Sequence, residues 1–466
     1  MSEPTPPRRF IPIQHLHKGD GKIHPRSISG HFQNWRWIFV WLTQILFYGL
    51  PWLPWNGRQA VLFDLETRRF YLFDLVLWPQ DTIYLAILLV LSALALFLFT
   101  AVAGRLWCGY ACPQTVYTSI FLWMEKLFEG ERQQRIKLDA APWSARKLRI
   151  KAGKQAAWLV FALWTGLSFV GYFTPIRELT RELGSLAMGP SELFWVLFYA
   201  GLTYGNAGFL REKMCTLICP YARFQSVMFD RDTLIITYDE ERGDPRGSRP
   251  KKADPKAQGL GDCVDCGICV QVCPTGIDIR NGLQVECIGC AACIDACDQV
   301  MDKMSYPRGL IRYSTENALK EHLGKDEILR RARRPRTLVY TAIFLVITGA
   351  TAWSLTHRPA VRVDVIRDRA SMSREAEDGS IENVFRLQFI NASERPRNYH
   401  IAVTGLPGIR LVGPADIALP SAGTGDITLS VRAESSASGS RPIQFLIQDR
   451  DDPLVKVEEK AKFWMP

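Results

Sequence analysis

Five stretches of the chain are apolar enough, for long enough, to cross a bilayer as helices, which takes about 20 residues. They run roughly over 36–55, 83–103, 156–174, 193–210 and 337–356. The second (IYLAILLVLSALALFLFTAVA) and fifth (TLVYTAIFLVITGATAWSL) contain no charged residue. The first is rich in Trp and meets Pro51 and Pro54 near its end, as a segment reaching the membrane interface does. The fourth holds Gly201, Gly205 and Gly208, which let helices approach closely. Beyond residue 360 the period changes. RVDVI, NVFRLQFIN, HIAVTGL, DITLSVRA, PIQFLIQD and KVEEKAKFW are short alternating runs separated by Gly, Pro and Ser turns. About seven strands in roughly 105 residues predict an immunoglobulin-like sandwich. No cysteine follows Cys297, so packing alone must hold that sandwich.

Charge orients the apolar runs. Residues 1–35 hold five basic and two acidic groups, 56–82 three and four, 104–155 ten and four, and 175–192 two and three. Five arginines stand between Arg330 and Arg336. Basic residues gather on the cytoplasmic side of membrane helices. The alternation therefore predicts that the N-terminus, the 104–155 loop and the 211–336 segment face the cytoplasm. The tail then lies outside, in the periplasm of a bacterium with an outer membrane. The net charge of +10 belongs to this clustering beside apolar runs and, with no nucleic-acid-binding motif, does not indicate a nucleic-acid partner. The start, MSEPTPPRRF, lacks the apolar core of a cleaved signal peptide, so the first apolar run is expected to stay as an anchor.

The twelve cysteines carry the chemistry. Tight spacing inside a large chain reads as metal ligation rather than a disulfide framework. Residues 263–298 read CVDCGICVQVCPTGIDIRNGLQVECIGCAACIDACD, that is C-x2-C-x2-C-x3-C-P followed by C-x2-C-x2-C-x3-C. Three cysteines two apart wrap a loop around one cubane. In two-cluster ferredoxins the fourth thiolate comes from the other motif. The expected ligands are Cys263, Cys266, Cys269 and Cys297 for one [4Fe–4S] cluster, and Cys287, Cys290, Cys293 and Cys273 for the second. Gly267, Gly289, Ala291 and Ala292 leave room for amides to approach the sulfurs. Asp298 stands where the second motif often has Pro, a departure that touches the potential of the first cluster rather than its ligation. Zinc is disfavoured, because its sites use cysteine pairs with a longer spacer.

Two further motifs resemble each other: GRLWCGYACPQTVYTSIF around Cys108 and Cys112, and REKMCTLICPYARFQSVMF around Cys215 and Cys219. Each is C-x3-C-P directly after an even-numbered apolar run, which suggests an internal repeat. Residues four apart share a helix face, so each pair presents two thiols to one soft metal, with Cu(I) the natural candidate. Arg105, Arg211, Lys213 and Arg223 nearby favour thiolates. A third metal cluster held by all four cysteines, and plain apolar packing, are the alternatives. None of the seven histidines lies in an apolar run, so no intramembrane bis-histidine haem is available. No GxGxxG or P-loop fingerprint appears.

The expected architecture is a multi-domain membrane protein with five transmembrane α-helices. Residues 1–35 form a cytoplasmic segment. Residues 36–210 carry four helices and the first C-x3-C-P motif. Residues 211–336 carry the second such motif and an inserted two-cluster ferredoxin (α+β) domain near 255–310. A fifth helix follows at 337–356, and an all-β immunoglobulin-like domain at 360–466. PWLPWNGRQAVLFDLETRRFYLFDLVLWPQD at 51–81, WCGYACPQTVYTS, YFTPIRELT at 172–180, MCTLICPYARFQSVMFD and the eight-cysteine segment together resemble the FixG/RdxA/CcoG family of cytochrome c oxidase accessory proteins. The likeness covers essentially the whole chain. It implies a cupric reductase that makes Cu(I) during assembly of a cbb-type haem–copper oxidase, in a bacterial inner membrane. Its partners would be oxidase subunits or assembly factors, copper ions and an unidentified electron donor. It also implies that Cys108, Cys112, Cys215 and Cys219 form the copper-proximal, catalytic site. A quinol- or donor-linked electron relay, or an assembly scaffold without reductase activity, are the competing readings.

Overall fold

The apolar runs become helices whose ends are set by Pro and Gly. A computed structural model describes residues 22–251, 254, 256–368, 373–434 and 438–466, and the expected placement of residues 1–21 lies outside it. Among the described residues, three helices are long and apolar enough to cross a membrane: Pro79–Ala103, Pro190–Ile218 and Pro335–Thr356. The other two runs form the helices His31–Gly49 and Ala145–Val170, which are less apolar. Gln33, Asn34, Arg36 and Gln44 dilute the first, and Lys151, Lys154 and Gln155 sit in the other. The first helix stops at Gly49, short of the expected end, because Pro51 cannot continue it and a tight turn over Leu50–Trp52 follows.

The chain divides into two compact units. The first comprises residues up to 51, 88–171 and 176–348. In it Ala145–Val170 packs along Pro190–Gly205. At Gly166 a side chain would meet the carbonyl of Val196 at 2.3 Å, so only Gly fits there. Phe121, Trp158 and Ala207 form a small core beside this pair. Next to it lies a buried ionic cluster. The Glu125 carboxylate, fully buried, accepts from Arg211 at 2.7 Å and Lys22 at 2.6 Å, and Glu129 pairs with Lys151 and Lys154 at 2.9 and 2.8 Å.

The same unit holds the ferredoxin-like α+β insertion. Ile235–Tyr238 pairs antiparallel with Ile311–Ser314, bracketing the short helix Ile268–Gln271 and the helix Ala292–Met304. Ile236, Ile277, Ile279, Ile294, Met301, Leu310 and Ile311 form its core. Asp295, between the last two cysteines, accepts from the backbone amides of Phe32 (3.2 Å) and Gln33 (2.7 Å). It thus caps the helix His31–Gly49 in place of Gly30, which has no side chain to do so.

The second unit comprises 52–87, 172–175 and 349–466. Its centre is the antiparallel β-sandwich. One sheet orders Arg410–Val412, Thr424–Ala433, Ile381–Asn391 and Val361–Arg367, with Arg374–Glu375 pairing off Ile381–Asn391. The other orders Asp416–Leu419, Arg397–Thr404, Gly439–Asp449 and Lys456–Met465. All six expected strand runs are strands. The three strands not anticipated are short, at two to four residues each. Residues 61–77 add a three-stranded meander whose Val76 and Trp78 pack on Ile390 and Ala422 of the sandwich. Asp81, 3 % exposed, pairs with Arg358 and with Arg362, the latter at 2.7 Å, and fastens the meander there.

Candidate metal-cluster and thiol site

Each ferredoxin motif is wound the same way. Asp265 (φ 49°) and Gly289 (φ 69°) occupy one left-handed position, and Gly267 (φ 63°) and Ala291 (φ 59°) the next. Those kinks bend the loop around its closely spaced cysteines, the third of which lies in the first turn of the helix begun at Ile268 or at Ala292. Ala291 tolerates the left-handed backbone that Gly267 adopts freely, at a cost of about 1 kcal/mol or more.

Two cavities result. One, about 360 Å³ of atom-free space partly open to solvent, is lined by Cys263, Cys266, Cys269 and Cys297 with Val264, Val300, Leu310 and Ile311. The other, about 330 Å³, is lined by Cys273, Cys287, Cys290 and Cys293 with Ile236, Ile277, Ile279 and Ile288, and Cys269 also touches it. Tyr238 and Arg280 also line the first and Thr275 the second, and four sulfur donors around a mostly apolar hollow suit an iron–sulfur cubane. Among the described residues no three His, Cys, Asp or Glu side chains close on a point tightly enough for a single ion. Burial pushes the thiols of Cys269, Cys287 and Cys297 up to about 12. Iron binding therefore has to displace protons. Asp298, the departure from the Pro pattern, accepts from the Gly309 amide at 2.9 Å and closes the loop beyond its helix.

The C-x3-C-P motifs also share one local logic, which differs from the expected helix face. Cys108 lies in the helix Leu106–Tyr110, which ends before Cys112. Cys112 is extended (φ −60°, ψ 128°) and precedes Pro113 at the first position of the next helix. Cys219 (φ −68°, ψ 112°) precedes Pro220 in the same way, while Cys215 sits in the wide helical turn Met214–Ile218. The two members of a pair are thus split between a helical turn and a helix cap. Even so, the four thiols come within electrostatic reach of one another.

Of the cations expected to favour thiolates, Arg105 lies within electrostatic reach of Cys108 and Cys215. Arg211 is committed to Glu125 and lies over Trp158. Burial, then Cys112, pushes Cys108 up to about 11 against the pull of Arg105, and burial raises Cys112 despite amides from Gln114 and Thr115. At Cys108 and Cys112 desolvation outweighs the neighbouring charge and favours the neutral thiol.

The most consequential arrangement is the contact between the two sets of cysteines. Cys108 and Cys215 pack with Val272, Ile288 and Cys290. A side chain at Gly109 would lie 2.7 Å from the Gly289 carbonyl and 2.9 Å from Cys290 Cα, so two glycines let the loops touch backbone to backbone. Gln225, fully buried, takes the Cys108 thiol at 3.4 Å and donates to Thr100 at 3.3 Å. Tyr313 donates to the Gly289 carbonyl at 2.7 Å. Neither Gln225 nor Tyr313 was singled out by motif. The small residues at 109 and 289 were the available signal.

Family models agree with this layout. A 4Fe-4S dicluster domain matches residues 210–316, a 4Fe-4S binding domain matches 85–133, and the Ig-like fold at the C-terminus of FixG matches 351–466. Among curated proteins, RdxB of Cereibacter sphaeroides is 39 % identical over 452 residues, covering 95 % of this chain and 92 % of its own. RdxA of the same organism is 38 % identical, covering 92 % of each. Nitrogen fixation protein FixG of Rhizobium meliloti is 36 % identical over 433 residues, covering 86 % of this chain and 83 % of its own. With its cysteine-lined cavities and cysteine-free sandwich, the chain belongs to the FixG/RdxA family of iron–sulfur electron-transfer proteins.

Proposed function

We propose that this protein reduces Cu(II) to Cu(I) at Cys108, Cys112, Cys215 and Cys219, using electrons drawn from the ferredoxin insertion, during assembly of a cbb-type oxidase. When bound, the two clusters supply one-electron storage. The ligands are read as Cys263, Cys266, Cys269 and Cys297 for the first, and Cys273, Cys287, Cys290 and Cys293 for the second. The observation that carries the reading is the backbone contact between Gly109 and Gly289, which joins a thiol quartet to a cluster loop with no intervening layer. Cu(II) arriving at the quartet takes one electron and leaves as Cu(I), which soft thiols hold well. The one electron each ion takes would come from the groups that the eight ferredoxin cysteines would hold.

The chain is read as a five-span protein of the bacterial inner membrane, with the ferredoxin insertion in the cytoplasm and the sandwich in the periplasm. The docking of residues 61–81 on the sandwich supports that sidedness, since charge counting puts both outside. In an anaerobic stopped-flow test, protein reduced with dithionite and freed of excess reductant is mixed with Cu(II). Rapid reoxidation of the clusters is expected, slowed at least tenfold in Cys108→Ser/Cys215→Ser. Absence of reoxidation, or equal rates in the variant, overturns the reading.

The match of residues 85–133 to a 4Fe-4S binding domain supports a second reading. There the quartet holds a further cluster, and the protein relays electrons to a protein partner. Iron analysis separates the two: roughly eight irons per chain support copper as substrate, and roughly twelve support the relay.

A further inference from the structure

Arg105 precedes the first C-x3-C-P motif and is only 6 % exposed. One of its terminal nitrogens donates to the carbonyls of Val285 and of Cys287, the latter at 3.2 Å, and the other donates to the carbonyl of Ala222. A single side chain thus ties three things together: the approach to Cys108, the helix begun by Cys219–Pro220, and the loop that carries Cys287. The carbonyl of Arg105 itself lies against Gly289, where a side chain would meet it at 3.0 Å.

All three partners are neutral carbonyls, and among the described residues no carboxylate forms an ion pair with this guanidinium. Its Nε has no hydrogen-bond partner. A buried charge without a counter-charge is costly. The groups close enough to lend negative charge are Cys108, Cys287, Cys215 and Glu286. The cysteines dominate that set, and they become negative only when they ligate metal. Of these, Cys287 is a proposed ligand of the second cluster, so a cluster held there would lend part of the missing counter-charge, and one more negative charge when reduced.

We propose that Arg105 raises the reduction potential of the second cluster and holds its loop against the C-x3-C-P helices, making that cluster the exit for electrons. A fixed cation beside Cys287 stabilises the reduced state more than the oxidised one. It sits on the second loop and has no contact with Cys263, Cys266 or Cys297, so the first cluster does not feel it equally. The first cavity is lined by a cation too, Arg280, but it is paired with Asp265 and Asp278, whereas Arg105 has no carboxylate in an ion pair among the described residues, so the bias favours the cluster nearest the thiol quartet. Arg105 is a positioning residue here, since it acts through the cluster's ligand loop. The inference rests on the electron-transfer reading above only for its direction of flow.

The test is an EPR-monitored redox titration of the full-length protein in detergent, without copper, for wild type, Arg105→Lys and Arg105→Gln. One of the two cluster signals is expected to move to lower potential in R105Q and to sit between the two in R105K, while the other signal stays in place. Should R105Q lose iron, R105K decides: its ammonium cannot reach Val285, Cys287 and Ala222 together, so a smaller one-cluster shift is expected. Unshifted potentials, an equal shift of both clusters, or R105K falling as low as R105Q overturn the proposal. Because no copper is present, failure of cupric reduction leaves this result standing, and an unmoved potential defeats this inference alone.

Discussion

In the sandwich, Val361, Leu387, Phe389, Tyr399, Phe445 and Phe463 belong to a buried core with further apolar side chains packed against it. In the ferredoxin insertion, the equivalent core includes Cys263 and Cys269, with Cys273, Cys287, Cys293 and Cys297 packed against it around two hollows. The first core is complete when the chain folds, and its free energy is apolar burial. The second has sulfur where a methyl would be, and space where neighbouring atoms would be. Its close packing, and the contacts that empty space forgoes, are recovered only with a bound group. The same polypeptide thus contains one domain whose stability is its own and one whose stability is borrowed from a cofactor.

The largest expected effect breaks the comparison at Cys269, which touches both hollows. Cys269→Ser should remove about half of the iron or more. It should also open residues 263–297 to protease while the sandwich beyond residue 360 stays resistant. Equal proteolysis of both regions would show that the sandwich depends on the metal as well. The converse change is Phe445→Ala, at a side chain with no exposed surface. Removing it should destabilise the sandwich by about 3–5 kcal/mol. The EPR signals of the clusters should be untouched. Thermal unfolding of the tail read by circular dichroism, with EPR in parallel, checks both halves.

How far the sequence disclosed this follows the same division. The sandwich strands were legible because alternation reports one buried face, and Ile381–Asn391 shows that alternation from Ile381 to Phe389. The strands at Arg410–Val412 and Asp416–Leu419 were not, because three or four residues carry too little pattern. The eight ferredoxin cysteines were legible because ligand spacing is a local constraint. The convergence of Cys108, Cys112, Cys215 and Cys219 was only suggested by the repeat, since it depends on how distant helices pack. The helix face expected within each pair was wrong because Cys112 and Cys219 are helix caps, a role announced by the Pro that follows each. Arg211 was misread because its partner, Glu125, lies 86 residues away. Charge near a motif in sequence says little about charge near it in space.

Glu125 sharpens the comparison from within the cofactor-bearing unit, because it offers stability there that does not come from metal. Burial alone would push its carboxyl up, but Arg211 and then Lys22 outweigh that and hold it down at about 2, against an ordinary value of 4.5. A depressed carboxyl contributes stability that is fully present above 4.5 and is lost as the pH falls toward 2. The shift corresponds to something on the order of 3 kcal/mol. Glu125→Gln removes the charge while keeping the shape, so Arg211 and Lys22 lose their counter-ion. Hydrogen exchange in residues 121–135 should be faster in the variant at pH 7, and the gap between the two proteins should close as the pH drops from 4.5. A gap that persists unchanged through that window would mean that packing around Phe121 and Trp158, rather than the ion pair, holds this part of the unit. The stability of the cofactor-bearing half would then come from the same source as that of the sandwich.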